Sequence, residues 1–215
     1  MNFTPVKTSK FIQKIFPKLI WEYPSEEKTI HLTFDDGPTP EITDWTLDVL
    51  NKYNAKATFF CIGKNVEANP ELFKRIVNDG HSIGNHTYNH LKGWKTKTKN
   101  YLDSIEKTAV VFKSFNIETT LFRPPYGQIK PKQVKQLLQK NYDIIMWNIL
   151  SLDWDKNTSK EKCLTNIINN TKSGDIVVLH DSVKASKNMM YILPKVLDYF
   201  SKQEYRFKRI PESNL

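Results

Sequence analysis

The run IHLTFDDGP, residues 30–38, decides the fold. IHLTF reads as a buried strand, yet it runs directly into two adjacent carboxylates, Asp35 and Asp36, and then into the Gly37-Pro38 break. Similar runs recur along the chain: ATFFCI at 57–62, HSIGN at 81–85, TLF at 120–122, YDIIMWNI at 142–149 and DIVVLH at 175–180. Helical patterns separate them, over 41–53, on to about 79, around 100–115, over 131–141 with Pro131 at the start, over 160–170 and over 189–200. This alternation predicts an α/β architecture with a parallel sheet, open or closed into a barrel.

The polar residues of interest stand where those runs finish. Asp35 and Asp36 follow IHLTF, His86 follows HSIG, Arg123 follows TLF, Asp153 and Trp154 follow YDIIMWNI, and His180 closes DIVVLH. In a parallel barrel the carboxyl ends of the strands share one face, so five segments direct their chemistry to one place.

HTYNH places His86 and His90 four residues apart, a spacing that brings two imidazoles together if the segment forms a helical turn. Such a pair reads either as ligands or as ordinary surface or core residues. Two histidines and one carboxylate leave a zinc ion an open position, as in catalytic sites, and TFDDGP can supply the carboxylate. An isolated DDG reads equally well as an Asx turn or a helix cap. Beside HTYNH, two carboxylates in different environments suit a division of labour, one on a metal and one free as a base.

Bulk properties bound the rest. The 215 residues suffice for one large domain, and 39% hydrophobic with 26% charged residues is an ordinary globular composition. No apolar stretch approaches the roughly 20 residues that span a bilayer. The formal charge of +9 favours polyanions, but the lysines are scattered and no nucleic-acid module is visible, so they read mostly as a solvated face. Cys61 and Cys163 read as free thiols, with Cys61 a small buried hydrophobe. The N-terminus is basic and partly apolar but lacks an unbroken apolar core of roughly 7–15 residues, so no secretory signal is readable. Residues 1–27 are expected to pack on the domain as a short extension, with an interfacial role for Phe11, Ile12, Ile15, Phe16 and Leu19 as the alternative.

TFDDGP, HTYNH, RPPYG, SLDW and VVLHD, in that order, resemble the five motifs of the polysaccharide deacetylases, the chitin- and peptidoglycan-deacetylase group of carbohydrate esterases. The resemblance covers about residues 28–209. It implies a single catalytic domain over 28–215, a distorted (β/α) barrel with parallel strands, and a divalent metal, usually zinc, with cobalt, nickel or manganese as alternatives. It implies hydrolysis of the N-acetyl amide of an amino-sugar polymer such as peptidoglycan or chitin. By the same resemblance Asp35 would be the general base, and Asp36, His86 and His90 the metal ligands. Arg123 would orient Asp35, the Tyr126 backbone N–H would serve the developing oxyanion, and Asp153 would tune His180 as the general acid. Trp154, Pro124 and Val178 would line the substrate pocket. Many members carry an Asp where this chain has Leu150, and a Leu where it has Val178, departures that bear on substrate preference.

The expected partner is an N-acetylated glycan, with no nucleic acid, peripheral membrane contact through the N-terminus as an option, and a monomeric state. The compartment reads as cytoplasmic from the missing signal and as the cell envelope by family analogy. Two other functions stay open: a deacylase of a small or lipid-linked amino sugar at the membrane face, and a non-catalytic carbohydrate-binding module.

Overall fold

The computed structural model describes residues 5–211; the outermost residues of the expected extension and of the catalytic domain, 1–4 and 212–215, lie outside the described residues. Eight strands form one sheet, and every pairing between them is parallel. They are β1 (Thr29–Asp35), β2 (Thr58–Cys61), β3 (Ser82–Asn85), β4 (Leu121–Phe122), β5 (Asp143–Ile144), β6 (Ile149–Leu150), β7 (Ile176–His180) and β8 (Arg206–Phe207). The order is β5-β4-β3-β2-β1-β7-β6, with β8 against the start of β1. The sheet curls into a distorted barrel.

The α-helices among the described residues are α1 (Lys10–Ile15), α2 (Ile42–Lys52), α3 (Gly63–Ala68), α4 (Pro70–Asn78), α5 (Thr98–Lys113), α6 (Pro131–Gln139), α7 (Lys160–Ile168) and α8 (Ser186–Ser201). Every residue of β1 is buried, as a central strand covered on both sides requires. Phe34 stacks on Phe59 across the β1–β2 pair, at 5.0 Å between ring centroids, in a core closed by Leu47, Val196 and Leu197 from α2 and α8.

The strand expected over 142–149 is instead two short edge strands, β5 and β6, joined by an irregular crossing. The backbone there is engaged elsewhere. Arg123 donates to the carbonyls of Ile145 (3.3 Å) and Met146 (3.0 Å), and Ile20 inserts its backbone between Ile144 O and Met146 N. The N-terminal segment thus lies along the seam between the two sheet edges: Leu150 N donates to Val6 O, Thr8 N to Asn148 O and Tyr23 N to Gly174 O. Leu19 is buried, whereas α1 buries none of its side chains.

Candidate active site

The register puts the two proton-handling candidates side by side. Asp35 ends β1 directly opposite His180, which ends β7. On the other side of β1, beyond β2, Asn85 of β3 faces Phe122 of β4, so the next residues, His86 and Arg123, emerge together.

Asp36 turns back at the strand end with φ of 80°, a left-handed conformation that an Asp tolerates better than most residues. Adjacent carboxylates can therefore both serve the site, where a continued strand would send them to opposite faces. The Asp36 carbonyl accepts from Asn65 Nδ2 at 2.7 Å.

HTYNH is not the helical turn expected from its spacing. It is a loop, with Thr87 and His90 both at positive φ. Its backbone groups find partners other than the i−4 carbonyls of a helix. Thr87 N donates to Asn85 Oδ1, Tyr88 N to Ser104 Oγ and Leu91 N to Thr87 Oγ1. The carbonyls of Thr87 and Tyr88 accept from Gly63 N and Lys64 N, two of the orphan donors in the first turn of α3.

The loop still brings the imidazoles together, at 5.0 Å between centroids. Asp36 Oδ1 lies 3.2 Å from His90 Nε2 and 3.7 Å from His86 Nε2, and one ligand atom from each of the three residues falls within 4.8 Å of the others. Three features fit this trio to a divalent cation. Asp36 Oδ1 is buried and without a hydrogen-bond partner. His86 Nδ1 is 2.8 Å from the Arg123 carbonyl, which fixes the N–H there and frees Nε2. Burial drives the His86 pKa down to about 3 and lowers that of His90, so both rings are neutral, as ligands must be.

Arg123 is fully buried and donates from Nη1 to Asp35 Oδ1 at 2.7 Å and to Thr33 Oγ1 at 2.6 Å. Its guanidinium carbon lies 4.0 Å from the Phe60 ring centroid. Asp35 is thereby fixed by a charged partner that is itself held at every nitrogen.

Asp153 grips His180 twice, through the backbone N–H (2.8 Å to Oδ2) and through Nδ1 (2.9 Å to Oδ1). Burial disfavours the imidazolium, but the charge and hydrogen bond of Asp153, with Asp36 and Asp35 behind, outweigh it and raise the His180 pKa to about 9. Trp154 packs edge-on to the His180 ring at 4.7 Å. Tyr126, in left-handed conformation at φ 59°, sets its ring 4.5 Å from that of His90. Pro124 is buried, and Val178 is 1% exposed.

Two side chains overlooked in the sequence support the site, one at Arg123 and one at the turn after Asp36. Thr33, two residues before Asp35 and so on the same strand face, accepts from Arg123 and donates to Val177 O. Asp181, the last letter of VVLHD, accepts from Gly37 N at 3.1 Å and from Thr43 Oγ1 at 2.5 Å. Both stood inside quoted motifs, and strand periodicity could have singled out Thr33.

Residues 22–145 match the polysaccharide deacetylase family model. A peptidoglycan-N-acetylglucosamine deacetylase of Bacillus cereus is 39% identical over 194 residues, covering 89% of this chain and 91% of that protein. The crystal structure of the Bc1960 peptidoglycan N-acetylglucosamine deacetylase, in complex with 4-naphthalen-1-yl-N-oxidanyl-benzamide, superposes with a TM-score of 0.87 at 32% identity, covering 97% of this chain and 96% of that one. A carbohydrate esterase family 4 pseudoenzyme from Bacillus anthracis superposes at 0.79 with 26% identity, over 89% of this chain and 66% of that one. The chain belongs to the polysaccharide deacetylase family and is a hydrolase of the N-deacetylase type.

Proposed function

We propose that this chain hydrolyses the N-acetyl amide of N-acetylglucosamine units in peptidoglycan, releasing acetate. The observation that carries this reading is the pairing of Asp35 with His180 on adjacent strands, beside the Asp36–His86–His90 trio. The similarity to peptidoglycan-N-acetylglucosamine deacetylases supports the polymer over other acetylated glycans.

Asp36, His86 and His90 would hold a divalent ion, zinc by their donor chemistry, which supplies Lewis acidity to water and to the amide carbonyl when bound. Asp35, held by Arg123, takes the proton from the attacking water. The backbone N–H of Tyr126 donates to the oxygen on which charge develops. His180, kept protonated by Asp153, delivers a proton to the departing amine, and Trp154 borders the acetyl methyl. A non-catalytic carbohydrate binder has no use for both a fixed base and a tuned acid.

The test is acetate release by zinc-loaded protein from peptidoglycan, N-acetylglucosamine oligomers, acetylated xylan and monosaccharides. Peptidoglycan should be the best substrate, and Asp35→Asn should remove the activity. No acetate from any of these glycans would sink the proposal.

One observation favours work close to a membrane. Phe11 is 72% exposed, Ile12, Ile15 and Phe16 are exposed beside it, and Lys10, Lys14 and Lys18 flank them. Contact of this segment with an anionic bilayer would place the enzyme at the cell envelope, where a lipid-linked amino sugar is the alternative substrate.

A further inference from the structure

We infer that Lys92, Trp94 and Tyr126 form a subsite for the sugar next to the one being deacetylated, in which Lys92 recognises a carboxylate carried by that neighbouring N-acetylmuramic acid unit. The inference rests on the deacetylase reading above and deepens it. Tyr126 is 54% exposed and packs against the ligand candidate His90, so anything seated on its ring is one side chain from the trio. Lys92 Nζ stands 4.8 Å from the centre of that ring. Lys92 is exposed, and among the described residues no acidic side chain pairs with it.

Trp94, two residues on, is 62% exposed, and its indole N–H is tied to Ile129 O at 3.2 Å. A large exposed indole with its polar atom already satisfied offers an apolar surface of the kind the C–H face of a pyranose covers.

The segment is built in place rather than loose. A Cβ on Gly93 would fall 2.0 Å from Gln128 O, so the 92–95 turn is pressed directly onto the backbone that follows Tyr126. Gln133 Nε2 donates to Gly93 O at 3.1 Å, and Lys130 Nζ to Thr96 O at 2.8 Å. Lys92 and the aromatic pair are therefore presented by two interlocked segments, at small entropic cost on binding.

In a polymer of alternating N-acetylglucosamine and N-acetylmuramic acid, every target sugar is flanked by units bearing a lactyl group. The carboxylate there is either the free lactyl acid or an acid of the stem peptide. A chitin chain presents no such charge. An unpaired ammonium beside the reacting sugar would make the enzyme favour the acidic glycan.

The test compares the zinc-loaded full chain with Lys92→Met and Lys92→Arg on four substrates: peptide-free strands with free lactyl acids, the same strands with those acids capped as methyl amides, muropeptide strands, and N-acetylglucosamine tetramer. Lys92→Met should lower kcat/KM by about fivefold to tenfold, through KM, on whichever carboxylate-bearing strand supplies the charge, with Lys92→Arg restoring most of it. On the capped strands and the tetramer, Lys92→Met should stay within about twofold of the parent. A loss on free-acid strands identifies the lactyl group, and a loss on muropeptides alone identifies the stem. Equal effects on charged and neutral substrates, or none, would overturn the subsite while leaving the deacetylase reading intact. If the parent enzyme released acetate from none of the four, both would fall.

Discussion

The carboxylate of Asp181 occupies the space a side chain at position 37 would need. Its Oδ1 accepts from Gly37 N at 3.1 Å, and a Cβ built on Gly37 would lie 2.0 Å from Oδ2. The last residue of one motif thus locks the turn that follows Asp36, the proposed metal ligand. Gly37→Ala must push the turn or the buried carboxylate aside, an overpacking that costs about 1–3 kcal/mol. Thermal unfolding should report a lower Tm, and metal affinity should fall with it. An unchanged Tm together with full metal affinity would show that the turn relaxes freely.

Arg123 ties four residues together, Thr33 and Asp35 of β1 and the carbonyls of Ile145 and Met146 in the crossing between β5 and β6. Arg123→Met leaves Asp35 buried without its partner, and removing one member of a buried pair costs about 3–5 kcal/mol. Adding Asp35→Asn should recover part of that loss, because the orphan charge goes too. Denaturant unfolding of the single and double variants measures the recovery; strict additivity would mean the two residues are not coupled.

What the sequence made legible and what it hid follow from how each residue is positioned. Asp35, Arg123 and His180 sit at or just beyond strand ends, where runs of apolar residues announce them, and β1 and β7 are long enough to read. HTYNH misled because its spacing matched a helix, while its conformation is set by the Asn85 side chain just before it and by Ser104 and the N-terminus of α3, the last two too distant in sequence for local periodicity to carry a trace of them. The 142–149 run misled for the same reason: its carbonyls are taken by Arg123, more than twenty positions earlier. β8 is two residues long, too short for any pattern.

If Asp36, His86 and His90 are the ligands, His86→Ala and His90→Ala should each weaken zinc retention by at least about 100-fold, more than loss of a supporting hydrogen bond does. Metal content after exhaustive dialysis reads this directly, without reference to turnover. His180→Ala should keep its metal and lose activity. Full zinc stoichiometry in His86→Ala would remove that residue from the ligand set.

The apolar residues of α1 make a prediction about location. Vesicles containing phosphatidylglycerol should carry the protein down on sedimentation at low salt, whereas Phe11→Ser with Ile15→Ser should leave it in the supernatant. Added salt should weaken the association, since Lys10, Lys14 and Lys18 act through screened charge. Acetate release from soluble oligomers should be the same in both proteins. If parent and variant sediment alike, α1 is not a membrane contact.

The pH dependence carries a sign that separates the proposed acid from the proposed base. His180 is useful as an acid only while protonated, and its pKa is raised to about 9 against the burial that opposes it, chiefly through Asp153. Activity should therefore hold through neutrality and fall as pH rises through about 9, with kcat/KM reporting the group in the free enzyme. Asp153→Asn keeps an oxygen able to accept from the His180 N–H groups but removes the charge, so the alkaline limb should move toward lower pH while metal content stays constant. The same shift has a stability consequence of the same sign. A histidine whose folded pKa lies above its unfolded value contributes stability that is complete below about 6.5 and is lost as pH climbs through the folded value. Unfolding of the parent should become easier between those limits relative to Asp153→Asn. An alkaline limb that does not move in Asp153→Asn would mean that another group donates the proton to the leaving amine.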